Sequence, residues 1–203
     1  MKIKYYSLWL CLICIGVFTL QNLISGFTEL FVLNNLAFGE YWRFLTAIFL
    51  HGSLAHLLYN LFALALFGFI LEKTIGSNRF LVVFFLSGIV ANIISVNYYD
   101  SSLGASGAIM GIIGCLAIIR PLMMVWAFGM PMPMILASVL WIAGDLLGLF
   151  IPSNVGHIAH LSGVGVGILI GFLIRLKTRI KKARETINIP ESYIRVWEDK
   201  YMR

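Results

Sequence analysis

An all-α integral membrane protein, built as a bundle of six transmembrane helices with a long interfacial first loop, is the fold class this sequence predicts. Three observations lead there. Of 203 residues, 60% are hydrophobic and 12% charged, whereas a soluble domain runs nearer half apolar and a quarter charged. Too little polar surface remains to cover a soluble globule, so lipid must act as the apolar solvent. Six apolar runs approach the roughly 20 residues that a helix needs to cross the hydrocarbon core. Under that reading the basic residues segregate to one side of the membrane.

The first run, Tyr5–Ile24, follows Lys2 and Lys4. It is longer than a secretory h-region and no A-x-A cleavage site follows, so it reads as a retained helix. The segment Ser25–Gly52 is rich in Phe and Leu. It is too interrupted to span and too apolar for an ordinary loop, which assigns it to the interface. The remaining spans are Ser53–Glu72, Phe80–Val96, the short Ser106–Ile119, Met132–Phe150 and His157–Ile174. Residues 1–176 form the transmembrane domain and residues 177–203 a cytoplasmic basic tail. The cluster Lys177 to Arg184 suits anionic headgroups or a plainly solvated face. Six crossings put both termini on one side, and every Lys and Arg except Arg43 then falls on that side. Basic loops stay inside, so both termini are expected in the cytoplasm, with the cell membrane as the location.

The net charge of +6 therefore reads as membrane orientation. No basic patch with interleaved aromatics is present, so no nucleic-acid partner is expected. Cys11, Cys14 and Cys115 all lie in apolar runs, where cysteine behaves as a small hydrophobe. They imply no disulfide framework, and no cofactor or metal is expected.

The rare polar residues converge. His51, His56, His157 and His160 all fall on the non-cytoplasmic side, and Ser106 opens the fourth span there. Intramembrane polar groups are costly and mark functional sites. At about 1.5 Å of rise per residue, Ser106 lies about 21 Å above the inner boundary set by Arg120. His160 lies about 22 Å above Arg175 and Asn60 about 20 Å above Lys73. Three helices thus bring polar groups to one depth, as a buried, water-filled site requires.

Ser106 sits in Gly104-Ala105-Ser106-Gly107-Ala108-Ile109-Met110-Gly111. Small neighbours let a substrate backbone approach the hydroxyl, and a helix N-terminus favours a developing anion. The bland alternative is an N-cap serine. Gly163, Gly167 and Gly171 follow His160 on one helix face, while the fourth span offers Gly107, Gly111 and Gly114. Small residues at this spacing let membrane helices pack closely. Contact between the two faces would draw Ser106 and His160 together; a glycine zipper without catalysis is the alternative. His56 and Asn60, at i and i+4, share a face of the second span. Both can donate hydrogen bonds to an oxyanion, or simply join helices.

These motifs together resemble the rhomboid intramembrane proteases: Gly104-x-Ser106-Gly107-x-x-x-Gly111, His56-x-x-x-Asn60 and His160-x-x-Gly163-x-x-x-Gly167. Trp42-Arg43 in the first loop resembles the family's WR motif, and Glu72-x-x-x-Gly76 its usual end of the second helix. The resemblance covers about Tyr41 to Gly171. It implies a six-helix rhomboid-like bundle in which Ser106 is the nucleophile and His160 the general base, then acid. It implies an oxyanion hole of His56, Asn60 and the Ser106 backbone N–H. Trp42 and Arg43 would brace the first loop, Glu72 would be structural, and His51 would stand near the cavity mouth. Substrates would be single-pass transmembrane proteins in the lipid bilayer, cut from the non-cytoplasmic side. Two positions depart from the pattern: Met110 stands where an aromatic residue is common, and Ser162 where glycine is common. No carboxylate is assigned to His160, so the catalytic pair is expected to be a dyad. Asp145, on the fifth span, has no assigned partner.

Other classes fit less well. The four histidines offer no HExxH or Cys/His spacing for zinc. Tyr99-Asp100 and Gly144-Asp145 only faintly echo an aspartyl intramembrane protease. A transporter or channel would use mid-membrane polar groups without covalent chemistry at Ser106.

Overall fold

The computed structural model describes residues 3–153, 155–187 and 191–202. Six apolar helices occupy the six expected stretches. Four are long and apolar enough to cross a membrane: α1 (Tyr6–Leu23), α4 (Leu54–Ile75), α5 (Ser77–Ser95) and the first part, His157–Thr178, of α8 (His157–Ile187). Two are shorter, α6 (Ser106–Ile119) and α7 (Met134–Gly148). The chain is a multi-pass membrane protein of helical class.

Helix α6 is central. Every residue from Gly107 to Ala117 is buried, so a short helix suffices: its neighbours, and not lipid, surround it. Helices α5 and α8 pack along it, and its N-terminal end opens on the polar side chains described below. Helix α1 lies outside, with most of its surface exposed and only Ser7, Leu10, Cys11 and Cys14 buried.

Helix α4 starts at Ser53, whose Oγ accepts the His56 N–H at 3.1 Å, an N-cap satisfying one orphan donor. Its middle, Leu64–Gly68, is π-helical. In a regular α-helix Asn60 and Glu72, twelve residues apart, would stand about 120° apart. A wide turn absorbs about one residue, or about 100°, and returns them to nearly one face. Both are buried, at 6% and 0% exposure. Gly76, at φ 91°, then reverses the chain so that α5 begins at the next residue; that conformation suits only glycine.

The first loop is folded, as its composition suggests. It contains α2 (Phe27–Phe31), a two-residue strand β1 (Leu33–Asn34) and α3 (Arg43–Thr46). Strand β1 pairs antiparallel with β2 (Ser101–Ser102), just before α6. After α6 the hairpin β3 (Met124–Ala127) and β4 (Met130–Pro133) turns at Phe128 and Gly129, both at positive φ, a two-residue turn matched to strand twist. Because Met130–Pro133 pairs in this hairpin, α7 begins at Met134 and not at the expected Met132. Helix α8 overruns the expected Ile174 and ends at Ile187. No Gly or Pro intervenes before Pro190, and Lys, Arg and Leu are strong helix formers. A last helix, α9, covers Glu191–Tyr201.

Candidate active site

Helices α6 and α8 meet through their glycines. A Cβ on Gly163 would collide with the carbonyl of Gly107, and one on Gly167 with the carbonyl of Gly111. A Cβ on Gly171 would stand 3.1 Å from the Cys115 carbonyl oxygen. Backbone thus lies against backbone along the whole seam, an approach that only small residues permit. At its upper end Gly107 faces Ala159: a Cβ there would lie 3.4 Å from the Ala159 carbonyl oxygen. Ser106 and His160 are the chain neighbours of these two residues. Both are partly exposed, unlike the buried seam below them.

Two features shape the turn before Ser106. Gly104 adopts φ 124° and donates its N–H to the Ala47 carbonyl at 2.8 Å. The His56 ring lies so close to it that a Cβ would stand 2.7 Å from Cε1 and 2.8 Å from Nε2. Only glycine meets both demands, and its bareness seats His56 two residues from Ser106. Ala105, not Ser106, holds the N-cap position, and no side chain caps the helix. The serine hydroxyl is therefore not spent on capping, and the first N–H groups of α6 keep their positive end uncovered.

On α4 the Asn60 Nδ2 donates to the His56 carbonyl at 2.9 Å. An amide has two such hydrogens, and the other has no partner among the described residues. His56 stands within electrostatic range of His160, which joins α4 to the Ser106 end of the seam. His51 packs edge-on against His56, ring centroids 5.1 Å apart. Its Nδ1–H donates to the Phe49 carbonyl at 3.1 Å, and its Nε2 has no partner among the described residues. Gln21 holds its backbone from both sides, accepting the His51 N–H at 3.0 Å and donating to its carbonyl at 3.3 Å. Burial, and then the neighbouring His56, push the His51 imidazole from 6.5 down to about 4.

The residue missed from sequence is Asp145. Its Oδ1 accepts Nδ1–H from His160 at 3.0 Å and from His157 at 2.7 Å. His160, expected without a carboxylate partner, therefore has one beside it. The signal was available: Asp145 is 11 residues beyond the start of α7, about 17 Å up at 1.5 Å per residue, within about one turn of the level reckoned for His160. Asp145, His157 and His160 each place a ligand atom within 4.8 Å of the others, the one cluster among the described residues suited to a metal ion.

Other expected site residues lie apart from Ser106. Arg43 is buried in the first loop, where it pairs with Glu40 at 2.5 Å and donates to the carbonyls of Glu29 at 2.7 Å and Val32 at 2.9 Å. Trp42 is half exposed, with its indole N–H directed at the Leu30 carbonyl at 3.4 Å. Glu72 lies at the far end of α4, twelve residues beyond Asn60. There it accepts the N–H groups of Tyr6 and Ser7 and the hydroxyls of Ser7 and Ser77, at 2.7–3.0 Å. Met110 is buried in the core.

Residues 38–177 match the rhomboid domain family. A putative rhomboid protease, YdcA, of Bacillus subtilis is 38% identical over 143 residues, covering 68% of this chain and 69% of the relative. RHOMBOID-like protein 6, mitochondrial, of Arabidopsis thaliana is 31% identical over 140 residues, covering 68% of this chain and 45% of the relative. The rhomboid protease GluP of Bacillus subtilis is 46% identical over 83 residues, covering 40% of this chain and 16% of the relative. The chain thus spans under half the length of some relatives and about two thirds of another. With the family's domain matched from Phe38 to Lys177, the chain belongs to the rhomboid family.

Proposed function

We propose that the protein is an intramembrane serine endopeptidase that cuts transmembrane segments with Ser106 and His160. The glycine seam carries this reading, because it sets the residues flanking the hydroxyl and the imidazole against each other. His160 takes the Ser106 proton through Nε2 as the oxygen attacks a substrate carbonyl, which requires an approach of about 2.6–3.2 Å. The resulting oxyanion is held by His56, the uncommitted Asn60 amide hydrogen and the Ser106 N–H. One such donor typically contributes about 10²–10³ in turnover. The imidazolium returns the proton to the leaving amine, and water then hydrolyses the acyl-enzyme.

Substrates are single-pass membrane proteins whose helix unwinds near the cut. Water enters from the non-cytoplasmic side, both termini are cytoplasmic, and the cell membrane is the location. Trp42, Arg43 and Glu72 hold the scaffold, and Gly104, Gly111, Gly163 and Gly167 permit its close contacts. Fluorophosphonate labelling in liposomes, paired with cleavage of a model single-pass substrate, tests the reading. Wild type labels and cleaves; Ser106→Ala and His160→Ala do neither. Cleavage by Ser106→Ala at the wild-type rate would end it.

A further inference from the structure

A carboxylate in an apolar helix is expensive unless it is paired, and Asp145 stands in such a helix, in the run Ile142-Ala143-Gly144-Asp145-Leu146-Leu147. Its pairing is unusual. Both bonds it accepts end on one oxygen, and both come from imidazole Nδ1 atoms. The geometry points to Asp145 as the positioning residue for His160, with His157 as its outer support, an assignment that rests on the Ser106–His160 reading above.

Imidazole chemistry supplies the first step. A carboxylate can only accept, so His160 carries its proton on Nδ1, and Nε2 keeps the lone pair that receives the Ser106 proton. When that proton arrives, the imidazolium lies 3.0 Å from a fixed negative charge. The carboxylate thus selects the tautomer before reaction and stabilises the cation during it.

Helix α7 is shaped for the support. Gly148 lies one turn beyond Asp145, and a Cβ there would stand 2.7 Å from the Nδ1 of His157. The missing side chain admits the His157 ring to the carboxylate. The carboxylate, which only accepts, makes His157 a second Nδ1–H donor, and the Ser153 Oγ, 3.0 Å from the other ring nitrogen Nε2, holds the ring from its far side. Asp145 is thereby held by a neighbour that does not depend on the reacting histidine. The groups facing His160 are Asp145 from α7, His157 on its own helix, and His56 from α4.

The test uses the full chain in liposomes, with Asp145→Asn, Asp145→Glu, His157→Gln, Ser106→Ala and His160→Ala. Readouts are kcat and KM on the model substrate, the fluorophosphonate labelling rate of Ser106, and the thermal midpoint. In Asp145→Asn the amide keeps the size but loses the charge, and its NH₂ can force the wrong tautomer. Its kcat and labelling rate should fall by about 10²-fold, within the worth of a general base, with KM and the thermal midpoint nearly unchanged. Asp145→Glu should retain more activity than Asp145→Asn, because charge counts more than fit. His157→Gln should lose roughly 3- to 10-fold, the share of an outer support rather than of the base.

A helix-joining role for Asp145 predicts the reverse order, with the isosteric Asn tolerated and Glu disruptive; that order would overturn the assignment. So would activity lost to a chelator and restored by zinc, since the trio would then be a metal site. Wild-type kcat in Asp145→Asn with Ser106→Ala dead refutes this assignment alone. An active Ser106→Ala refutes the dyad beneath it.

Discussion

Two buried carboxylates stand at the two ends of the helix bundle, and they are satisfied in different ways. Glu72 is fully enclosed and accepts four hydrogen bonds from backbone amides and hydroxyls of α1 and α5. None of those donors can change its charge. Asp145 is 8% exposed and accepts two bonds, both from imidazoles. Its partners can gain or lose protons. The same functional group therefore meets backbone amides and hydroxyls at one end and two imidazoles at the other. The difference lies in the donors, not in the acid.

The largest effect should come from breaking the Glu72 staple. Glu72→Ala leaves four donors without an acceptor, three of them buried, and a buried donor costs about 1–3 kcal/mol when unsatisfied. Even with water repairing some of them, the loss should exceed about 3 kcal/mol. Thermal unfolding in detergent checks this. The variant that does fold should keep the wild-type labelling rate at low temperature, because the Ser106 end is untouched. A labelling rate that falls while the thermal midpoint holds would erase the distinction between the two acids.

The glycine seam joins the two ends and should respond in both readouts. Gly163→Ala drives a methyl group into the Gly107 carbonyl. Overpacking of this kind costs about 1–3 kcal/mol, and here it also separates α6 from α8 beside Ser106 and His160. Stability and labelling should drop together. Gly165→Ala, on the same helix with open space around its Cα, is the matched control and should alter neither.

Much of this was legible in the sequence. The six apolar stretches, the orientation bias and the Ser106, His56–Asn60 and His160 motifs are local patterns, each carried by spacing along one helix. The glycine faces were legible for the same reason. The pairing of Asp145 with His157 and His160 crosses a loop and joins two helices, and no local period marks it. Depth counting on α7 would have put Asp145 near His160, but not on the facing side. Glu72 was legible as structural only through its motif; its four donors come from α1 and α5, up to 66 residues away. The π-helical turn that aligns Asn60 with Glu72 has no signature in Leu64–Gly68, a plain apolar run.

A third test uses pH. His51 is neutral in the fold, its value lowered from 6.5 to about 4. The unfolded chain binds a proton in that window and the folded one does not, so stability rises with pH there. It should be complete above about 6.5 and lost progressively as pH falls toward 4, by about 2–3 kcal/mol. Thermal midpoints measured from pH 4 to 7 check the slope, and His51→Phe should make it shallower.

The smallest effects sharpen the contrast most, because they delete one hydroxyl at each end. Ser7→Ala removes one of the four donors to Glu72, worth about 1 kcal/mol. The thermal midpoint should fall slightly, and the Ser106 labelling rate should not change. Ser153→Ala removes the hydroxyl behind His157, at an exposed loop position where folding gains little from it. The midpoint should hold, and labelling should slow by about 2-fold as His157, and through it Asp145, is held less firmly; that corresponds to about 0.4 kcal/mol of transition-state stabilisation. Two equal deletions should thus register in opposite assays. If Ser153→Ala lowers the midpoint and leaves labelling intact, the imidazole-bound carboxylate is only a second staple, and the two ends of the bundle work alike.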